Sequence, residues 1–292
     1  MVPTAERHTV RAYAGSARRY GWVMLDRFKV SAREKLQRAL AEVVAAEHAS
    51  ARQEQQDQHA ELMASLDRLN DSVKAVATRI ADTEYRARRD LSYAQDARAA
   101  QESAAFVLEH MPTAKVFWEP PDTLRYALGE IKGPGLAIEF GVATGSTLQL
   151  IAEMVAADRT VAGFDVFTGL PETWRTGFPA GEFAQQPPDI AGATVIAGLF
   201  EDTLPTFLAE TDEAIAFMHV DCDLYSSTQT VLDLTGDRLA PDVVLVFDEF
   251  FNYPGWQQHE YRAWTEFLDR TGRSFEYLAY TGNNEQVVVR LH

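Results

Sequence analysis

Three acidic residues directly follow two apolar segments that we predict to be adjacent strands of one sheet. Asp221 ends the segment AIAFMHVD, and Asp248 with Glu249 ends VVLVFDEF. Side chains beyond the carboxyl ends of such strands meet in one crevice, and a hard cation such as Mg²⁺ prefers carboxylate oxygens. The pattern therefore predicts a magnesium site with open positions for substrate oxygens. Alternatively, one or two of these acids only cap helices, which is our interpretation of Asp223, ahead of a helix predicted near Ser226.

A glycine-hinged turn joins another predicted strand to a helix in the segment LAIEFGVATGSTLQLIAE. Gly141 and Gly145 lack the Cβ atoms that would keep a ligand away from the backbone, and Ser146 and Thr147 can cap the helix. The spacing differs from the G-x-G-x-x-G that holds a dinucleotide pyrophosphate, which argues against a dehydrogenase. Glu139, just ahead of the first glycine, suits a ligand that carries an ammonium group.

Two later strand ends provide candidate contacts to a nucleoside. Asp165 closes the segment TVAGFDVF, at a distance from the glycine turn where a carboxylate can bind two ribose hydroxyls. Phe200, in the segment GLFED after the next strand, can lie against an adenine ring. The ordinary alternatives are a surface acid and a packing aromatic.

Two histidines are candidate proton acceptors. His219 shares a strand face with Asp221 because side chains alternate along a strand, and His259 lies on a later helix. A lone strand histidine is more often a packing residue, so both assignments have a structural alternative.

The acidic composition restricts the class of partner. The chain has 43 Asp+Glu against 27 Lys+Arg, a net charge of −16, and the excess of acids lies after residue 110. This charge disfavours nucleic acid and favours a neutral or cationic small molecule. The single cysteine, Cys222, excludes a disulfide framework, and we expect a cytoplasmic protein. No apolar run reaches the length of a transmembrane helix.

Residues 1–110 are predicted to form a separate helical region. Ser31 to His110 contain no proline or glycine and are rich in Ala, Glu, Gln and Arg. Within residues 62–80 the apolar side chains follow the 4-3-4-3-4 spacing of a coiled coil, with a break or stutter predicted upstream where this register becomes polar. We predict a homo-oligomer formed through these helices; the alternative is a helical hairpin packed on the rest of the chain. The apolar positions are Leu62, Leu66, Leu69, Val73, Val76 and Ile80.

Residues 111–292 are predicted to form one α/β domain. Seven strand-like runs, mostly separated by helical segments, predict a doubly wound, mainly parallel sheet with helices on both faces. The last two runs are joined by a Thr-Gly-Asn-Asn turn, which predicts a hairpin. The long aromatic and glycine-containing segment from Pro171 to Asp189 is interpreted as a lid over a substrate.

Five motifs in this domain resemble, in order, those of the macrocin-type, metal-dependent sugar O-methyltransferases of antibiotic biosynthesis. They are EFGVATGSTLQLIAE, FDVFTGLPE, GLFEDTLPTFL, VDCDLYSST and FDEFFNYPGWQQHEYRAWTEF, and the resemblance covers about Trp118 to His292. It implies the Rossmann-like class I fold that binds S-adenosylmethionine (SAM). The implied SAM contacts are Glu139, Gly141, Gly145 and Ser146 for the methionine end, Asp165 for the ribose, and Phe200 with Glu201 for the adenine; the implied metal ligands are Asp221, Asp248 and Glu249. Such families usually have Asp or Asn at the position of Glu249.

On this basis we expect SAM-dependent methyl transfer to a hydroxyl of a sugar or glycosylated natural product, with Asp221, His219 or His259 accepting the proton. One alternative is a phenol or catechol acceptor, although Leu224 stands where catechol enzymes carry a lysine base. The other is a non-catalytic coiled-coil module with a degenerate methyltransferase domain.

Overall fold

The computed structural model describes residues 9–155 and 159–292, with side chains from residue 27 onward. The first eight residues of the predicted helical region therefore lie outside the described part. The chain divides into two compact units, with the boundary between Tyr85 and Arg86. Among the described helices, none has the length and apolar character needed to cross a membrane.

The described residues of the N-terminal unit form a single helix, α1 (Thr9–Arg89), which continues into the first residues of the second unit. The helix is continuous through the polar stretch where a break or stutter was predicted. The six apolar residues at coiled-coil spacing, which we call the seam, are 48% to 63% exposed. A helix whose apolar side chains are exposed gains little stability from tertiary packing.

Helix α2 (Leu91–His110) belongs to the second unit, whereas the predicted boundary was at residue 110. Asp90 separates it from α1 and caps it, because its Oδ1 accepts the N–H groups of Ser92 and Tyr93 at 3.0 and 3.2 Å. The ring of Phe106, on the buried side of α2, contacts aromatic rings from several later elements. Its partners are Phe250, Trp256, Tyr261 and Tyr277, with centroid distances of 5.4 to 6.3 Å.

The described residues of the second unit form an eight-stranded sheet in the order β1-β7-β8-β6-β5-β2-β3-β4. Only β8 runs antiparallel to its neighbours, so the predicted hairpin is present and the rest of the sheet is parallel. The strand beyond the seven predicted is β1, three residues long, at the edge beside β7. The strands are β1 (Lys115–Phe117), β2 (Leu136–Phe140), β3 (Val161–Asp165), β4 (Thr194–Ala197), β5 (Ile215–Val220), β6 (Leu239–Phe247), β7 (Phe275–Thr281) and β8 (Val287–Leu291).

Alternating side chains of the central strands enter two apolar clusters, as expected for a sheet covered on both faces. On β5, Met218 and Val220 belong to one cluster and Phe217 to the other. The mainly parallel, Rossmann-like α/β fold predicted from the sequence is confirmed. The remaining α-helices are α3 (Pro120–Gly129), α4 (Ser146–Met154), α5 (Phe200–Ala209), α6 (Tyr225–Thr235) and α7 (Glu260–Thr271).

The strand order reverses direction beside β2. From β2 the chain adds β3 and β4 on one side, and then crosses to add β5 and β6 on the other. Ligands of open α/β sheets bind in the crevice at such a switch point, beyond the carboxyl ends of the strands. The residues after β2, β3, β5 and β6 are therefore the ones to examine.

Candidate active site

A cavity of about 570 Å³ opens at the carboxyl ends of the central strands. Residues that follow β2 to β6 form its floor, the beginnings of α5 and α6 form its sides, and the predicted lid contributes aromatic side chains. Several non-glycine residues around these strand ends have positive φ angles, a strained conformation that is common at functional sites. They are Ala143, Phe167, Asp223 and Asn252, with φ of 43° to 67°.

The three predicted metal ligands lie together. Asp221, Asp248 and Glu249 each offer a carboxylate oxygen, and the three oxygens lie within 4.8 Å of one another. Burial, followed by the charge of Asp248, raises the pKa of both Asp221 and Glu249 well above its usual value. The Oε2 atom of Glu249 is buried without a hydrogen-bond partner among the described residues. Converging acids with an unpaired buried oxygen fit a divalent cation that takes oxygen ligands.

His219 lies between two carboxylates on the neighbouring strand ends and is fully buried. Its Nδ1 faces Glu139 Oε1 at 2.8 Å and its Nε2 faces Asp248 Oδ1 at 3.3 Å. Burial alone would lower the pKa of His219, but the hydrogen bonds to Asp248 and Glu139 raise it well above its usual value. Each ring nitrogen of His219 therefore lies within hydrogen-bond distance of one carboxylate oxygen.

Glu139 and His219 are not among the described residues that line the cavity. Glu139 is paired with His219 across β2 and β5, and its side chain is fully buried. The sequence assigned Glu139 to a ligand's ammonium group and His219 to proton transfer. The structure instead brings the two into contact with each other inside the protein.

Asp165 organises the glycine turn from the end of β3. Its Oδ2 accepts the N–H groups of Val142 and Ala143 at 3.0 and 2.8 Å, and its Oδ1 accepts that of Phe167 at 2.9 Å. The side chain also lines the cavity, at the position predicted for a ribose contact. Three backbone hydrogen bonds use most of the roughly four acceptor positions of a carboxylate, so one remains for a ligand.

Both glycines of the turn are required by contacts inside the protein. Gly141 has φ +94°, and a Cβ atom there would overlap the carbonyl oxygen of Asp221. A Cβ atom on Gly145, which has φ +83°, would lie 2.6 Å from Ile190 Cδ1. The two glycines therefore have a packing role in addition to the ligand access that we predicted. Gly141 lines the cavity, whereas Gly145 is not among the described lining residues.

The predicted side-chain cap of α4 is wrong. Gly145 is the N-cap residue, and no side chain in the described part of the chain forms a capping hydrogen bond there. Ser146, the first residue of the helix, is also not one of the described residues that line the cavity. The positive φ of Gly145, rather than a hydroxyl, starts the helix.

Phe200 and Glu201 line the cavity at the start of α5, beyond β4. The ring of Phe200 packs edge-on against Phe140 of β2, with centroids 5.4 Å apart. This contact fixes the ring at the side of the cavity, where it can support a flat ligand.

Asp223 lines the cavity, and our interpretation of it as a helix cap is wrong. Helix α6 begins at Tyr225 with Leu224 as N-cap, and none of the described side chains caps it. Burial, followed by the charge of Asp248, raises the pKa of Asp223 to about 7. Its φ of +59° turns the chain after β5. The sequence analysis missed this residue as part of the site, although its position two residues after Asp221 could have indicated it.

The predicted lid is folded over the cavity and held at two points. Arg175 Nη1 donates to both carboxylate oxygens of Glu285, in the β7–β8 turn, at 3.2 and 3.3 Å. The hydroxyl of Ser226 on α6 donates to Glu172 Oε1 at 2.7 Å. Arg175 is the only cationic side chain among the described lining residues. The lid residues that line the cavity are Pro171, Glu172, Trp174, Arg175, Phe178 and Phe183.

His259 is half-buried at the start of α7, outside the set of described lining residues. Its ring lies 5.8 Å from that of Tyr253, and burial, followed by the charge of Arg175, lowers its pKa. Cys222 is buried and packs beside Thr228, with Sγ 3.6 Å from the threonine hydroxyl.

Comparison with known proteins gives a family match over the strands that form the cavity. Residues 138–250 match a family model described as a methyltransferase domain. The comparison with curated proteins gave no match.

Several solved methyltransferase structures are similar to the chain. CalS11, described as a calicheamicin methyltransferase and in a second structure as a TDP-rhamnose 3'-O-methyltransferase, is 26% identical, with a TM-score of 0.48 over 58% of this chain and 76% of that chain. The O-methyltransferase NovP is 20% identical, with a TM-score of 0.44 over 58% and 78% of the two chains. An O-methyltransferase from Bacillus cereus in complex with SAH is 15% identical, with a TM-score of 0.42 over 72% and 96%.

The matched segment runs from within β2 to just beyond β6, and it includes the three acids and the glycine turn. From this match and the fold, the chain is a SAM-dependent methyltransferase.

Proposed function

We propose that this enzyme transfers a methyl group from SAM to a hydroxyl of a neutral small molecule, with a divalent cation such as Mg²⁺ held by Asp221, Asp248 and Glu249. The observation that carries the proposal is the approach of these three carboxylates within 4.8 Å of one another. Asp221 and Glu249 line the same cavity as Asp165 and Gly141. SAM and the cation would thus bind in the same cavity, next to the hydroxyl that accepts the methyl group.

The SAM contacts follow from the described lining residues. We assign the ribose to the remaining acceptor position of Asp165, the adenine to Phe200 and Glu201, and the methionine end to the turn at Gly141. Gly145 and Ser146 would not contact SAM directly. They would instead affect SAM binding by setting the shape of the turn and the position where α4 begins. The burial of Glu139 removes it from our list of SAM contacts.

Bound SAM supplies an electrophilic methyl group, and a bound cation lowers the pKa of a coordinated hydroxyl. The chain itself contributes alignment, worth on the order of 7–11 kcal/mol at best, and a proton acceptor. We assign the proton to Asp223, because it lines the cavity two residues from Asp221. This assignment replaces His219 and His259 and leaves Asp221 to the cation.

The charge and shape of the cavity favour a sugar of a neutral glycoside as acceptor. Six acidic side chains line it, and its one cation among the described lining residues, Arg175, is already paired with Glu285. Trp174, Phe178 and Phe183 offer flat apolar surfaces that suit a sugar ring. The same rings would also suit a phenol or catechol, which is the second candidate.

Acceptor preference separates these candidates. Methyl transfer from radiolabelled SAM should be measured with neutral glycosides, nucleoside-diphosphate sugars and catechol, each at saturating Mg²⁺. We expect transfer to neutral glycosides. Turnover of catechol alone would replace the sugar assignment, and failure of SAM to bind in calorimetry would contradict the enzymatic proposal itself.

A second copy of the chain is our proposed partner for the seam. In heptad register, Leu66, Val73 and Ile80 take position a, and Leu62, Leu69 and Val76 take position d. Mostly β-branched residues at a with mostly leucine at d favour two parallel strands. Only Arg79 is charged among the flanking e and g positions, so two copies would meet little like-charge repulsion. These flanking residues are Met63, Ser65, Asn70, Ser72, Ala77 and Arg79.

Light scattering on the full chain tests this partner. Leu69→Glu places a charge inside the seam and should convert a dimer to a monomer, whereas Ala75→Glu, at an outer c position of the same helix, should not. A monomeric wild-type chain, or a dimer that survives Leu69→Glu, would contradict the coiled-coil proposal.

A further inference from the structure

We propose that Glu139 and His219 form a buried chain that orients Asp248, so that both are positioning residues for the cation site. The inference rests on the proposed cation site and deepens it. His219 is fixed at both ring nitrogens, at 2.8 Å from Glu139 and 3.3 Å from Asp248. Because Glu139 on β2 holds the imidazole, and the imidazole contacts Asp248 after β6, the carboxylate of Asp248 is kept in one orientation.

Packing requirements alone give no reason for ionisable groups at these two positions. The other residues of β2 and β5 are buried and apolar, so Glu139 and His219 are the exceptions within these two strands. Burying charges costs free energy, and well-packed apolar residues often replace a buried ion pair without loss of stability. The two exceptions face each other in register, and their chain of hydrogen bonds ends on Asp248.

Asp248 accepts its two side-chain hydrogen bonds from described residues on the same carboxylate oxygen. His219 Nε2 and Gln286 Nε2 both approach Oδ1. This leaves Oδ2 for the cation. Gln286 is itself buried and accepts a hydrogen bond from the Thr281 hydroxyl at 3.1 Å, so the second donor is also fixed. Partners that orient a ligand in this way typically change metal affinity by about 10–100-fold when removed.

Binding of Mn²⁺ alone, measured as loss of the free-ion signal in electron paramagnetic resonance, tests the inference without reference to turnover. We expect His219→Leu to weaken Mn²⁺ binding by about 10–100-fold. Glu139→Gln keeps an oxygen that accepts the Nδ1–H group, so we expect a smaller loss of about 3–10-fold. SAM affinity, measured by calorimetry, should stay within about twofold in both variants, because neither residue lines the cavity.

Thr235→Val is a matched control for the loss of a buried polar group. Thr235 is fully buried in α6, and its hydroxyl donates to the Val231 carbonyl at 2.7 Å. The substitution should lower stability in urea without changing Mn²⁺ affinity. A loss of Mn²⁺ binding in this control would mean that general destabilisation explains the effect.

The outcomes separate the inference from the function on which it rests. If the wild-type enzyme binds no Mn²⁺, the cation site itself is wrong. If it binds Mn²⁺ and folded His219→Leu binds equally well, the positioning role is wrong. If His219→Leu does not fold, Glu139→Gln decides, since unchanged Mn²⁺ affinity contradicts the chain. Weakened SAM binding with unchanged Mn²⁺ affinity in Glu139→Gln would instead restore Glu139 as the ammonium contact.

Discussion

Substitution of Gly141 by alanine should damage the site more than the fold. Gly141 has φ +94°, and its added Cβ would overlap the carbonyl oxygen of Asp221 and lie 2.7 Å from the carbonyl carbon. Both atoms belong to backbone that is held in the sheet, because the Asp221 N–H group donates to the Phe140 carbonyl at 2.8 Å. The ends of β2 and β5 would therefore have to separate by about 1 Å or more in a close-packed interior.

Two contributions to the loss of folding stability in Gly141→Ala can be separated. The left-handed conformation alone costs an alanine about 1–2 kcal/mol. Gly177→Ala isolates this contribution, because Gly177 has φ +95° and no described atom lies within 4 Å of its added Cβ. The additional cost of Gly141→Ala comes from the overlap, and we expect a total of about 3 kcal/mol or more.

The movement of Asp221 should also be visible in function. A misplacement of about 1 Å at a reacting centre can cost about 100-fold in rate. We therefore expect Gly141→Ala to lower kcat about 100-fold and to weaken Mn²⁺ binding, with Gly177→Ala as the control for Mn²⁺ affinity. Urea denaturation gives the stability difference. If Gly141→Ala is as stable as Gly177→Ala and binds Mn²⁺ like the wild-type enzyme, our description of how β2 and β5 position Asp221 is wrong.

Three further substitutions test other parts of the structure. Asp223→Asn removes the proposed proton acceptor and should lower kcat by about 10²–10⁴-fold with unchanged SAM affinity in calorimetry; a kcat within threefold of wild type would exclude this role. Arg175→Met breaks the link from the lid to Glu285 and should raise the KM for the acceptor several-fold in steady-state assays, without changing SAM affinity; an unchanged KM would mean that the link does not order the lid. Phe106→Ala removes the aromatic contacts of α2 and should lower the free energy of unfolding by about 2–3 kcal/mol in urea; a loss below about 0.5 kcal/mol would contradict the packing of α2 in the second unit.

The features predicted most successfully from the sequence depend only on strand order and strand ends. Asp221 and Asp248 come together because both directly follow parallel strands that proved to be neighbours, β5 and β6. The hairpin of β7 and β8 follows from two β-rich runs around a short turn. Both inferences follow from the periodicity of apolar residues along the sequence, and neither depends on knowing where individual side chains point.

The features that the sequence did not predict depend on side-chain direction and on backbone geometry. Glu139 and His219 are paired across β2 and β5, and both side chains are fully buried. Asp223 has a positive φ, which no spacing rule predicts for an aspartate. The place of α2 could have been inferred, because Ala99, Ser103 and Phe106 have the 4-3 spacing of a buried helix face.

The central claim is that a divalent cation held by Asp221, Asp248 and Glu249 is required for methyl transfer. Turnover of radiolabelled SAM with a neutral glycoside should be measured after chelation and during Mg²⁺ add-back, in the wild-type enzyme and in Asp248→Asn. We predict that chelation abolishes transfer, that Mg²⁺ restores it in the wild-type enzyme, and that Asp248→Asn needs at least about tenfold more Mg²⁺. Full turnover in the presence of chelator would contradict the claim.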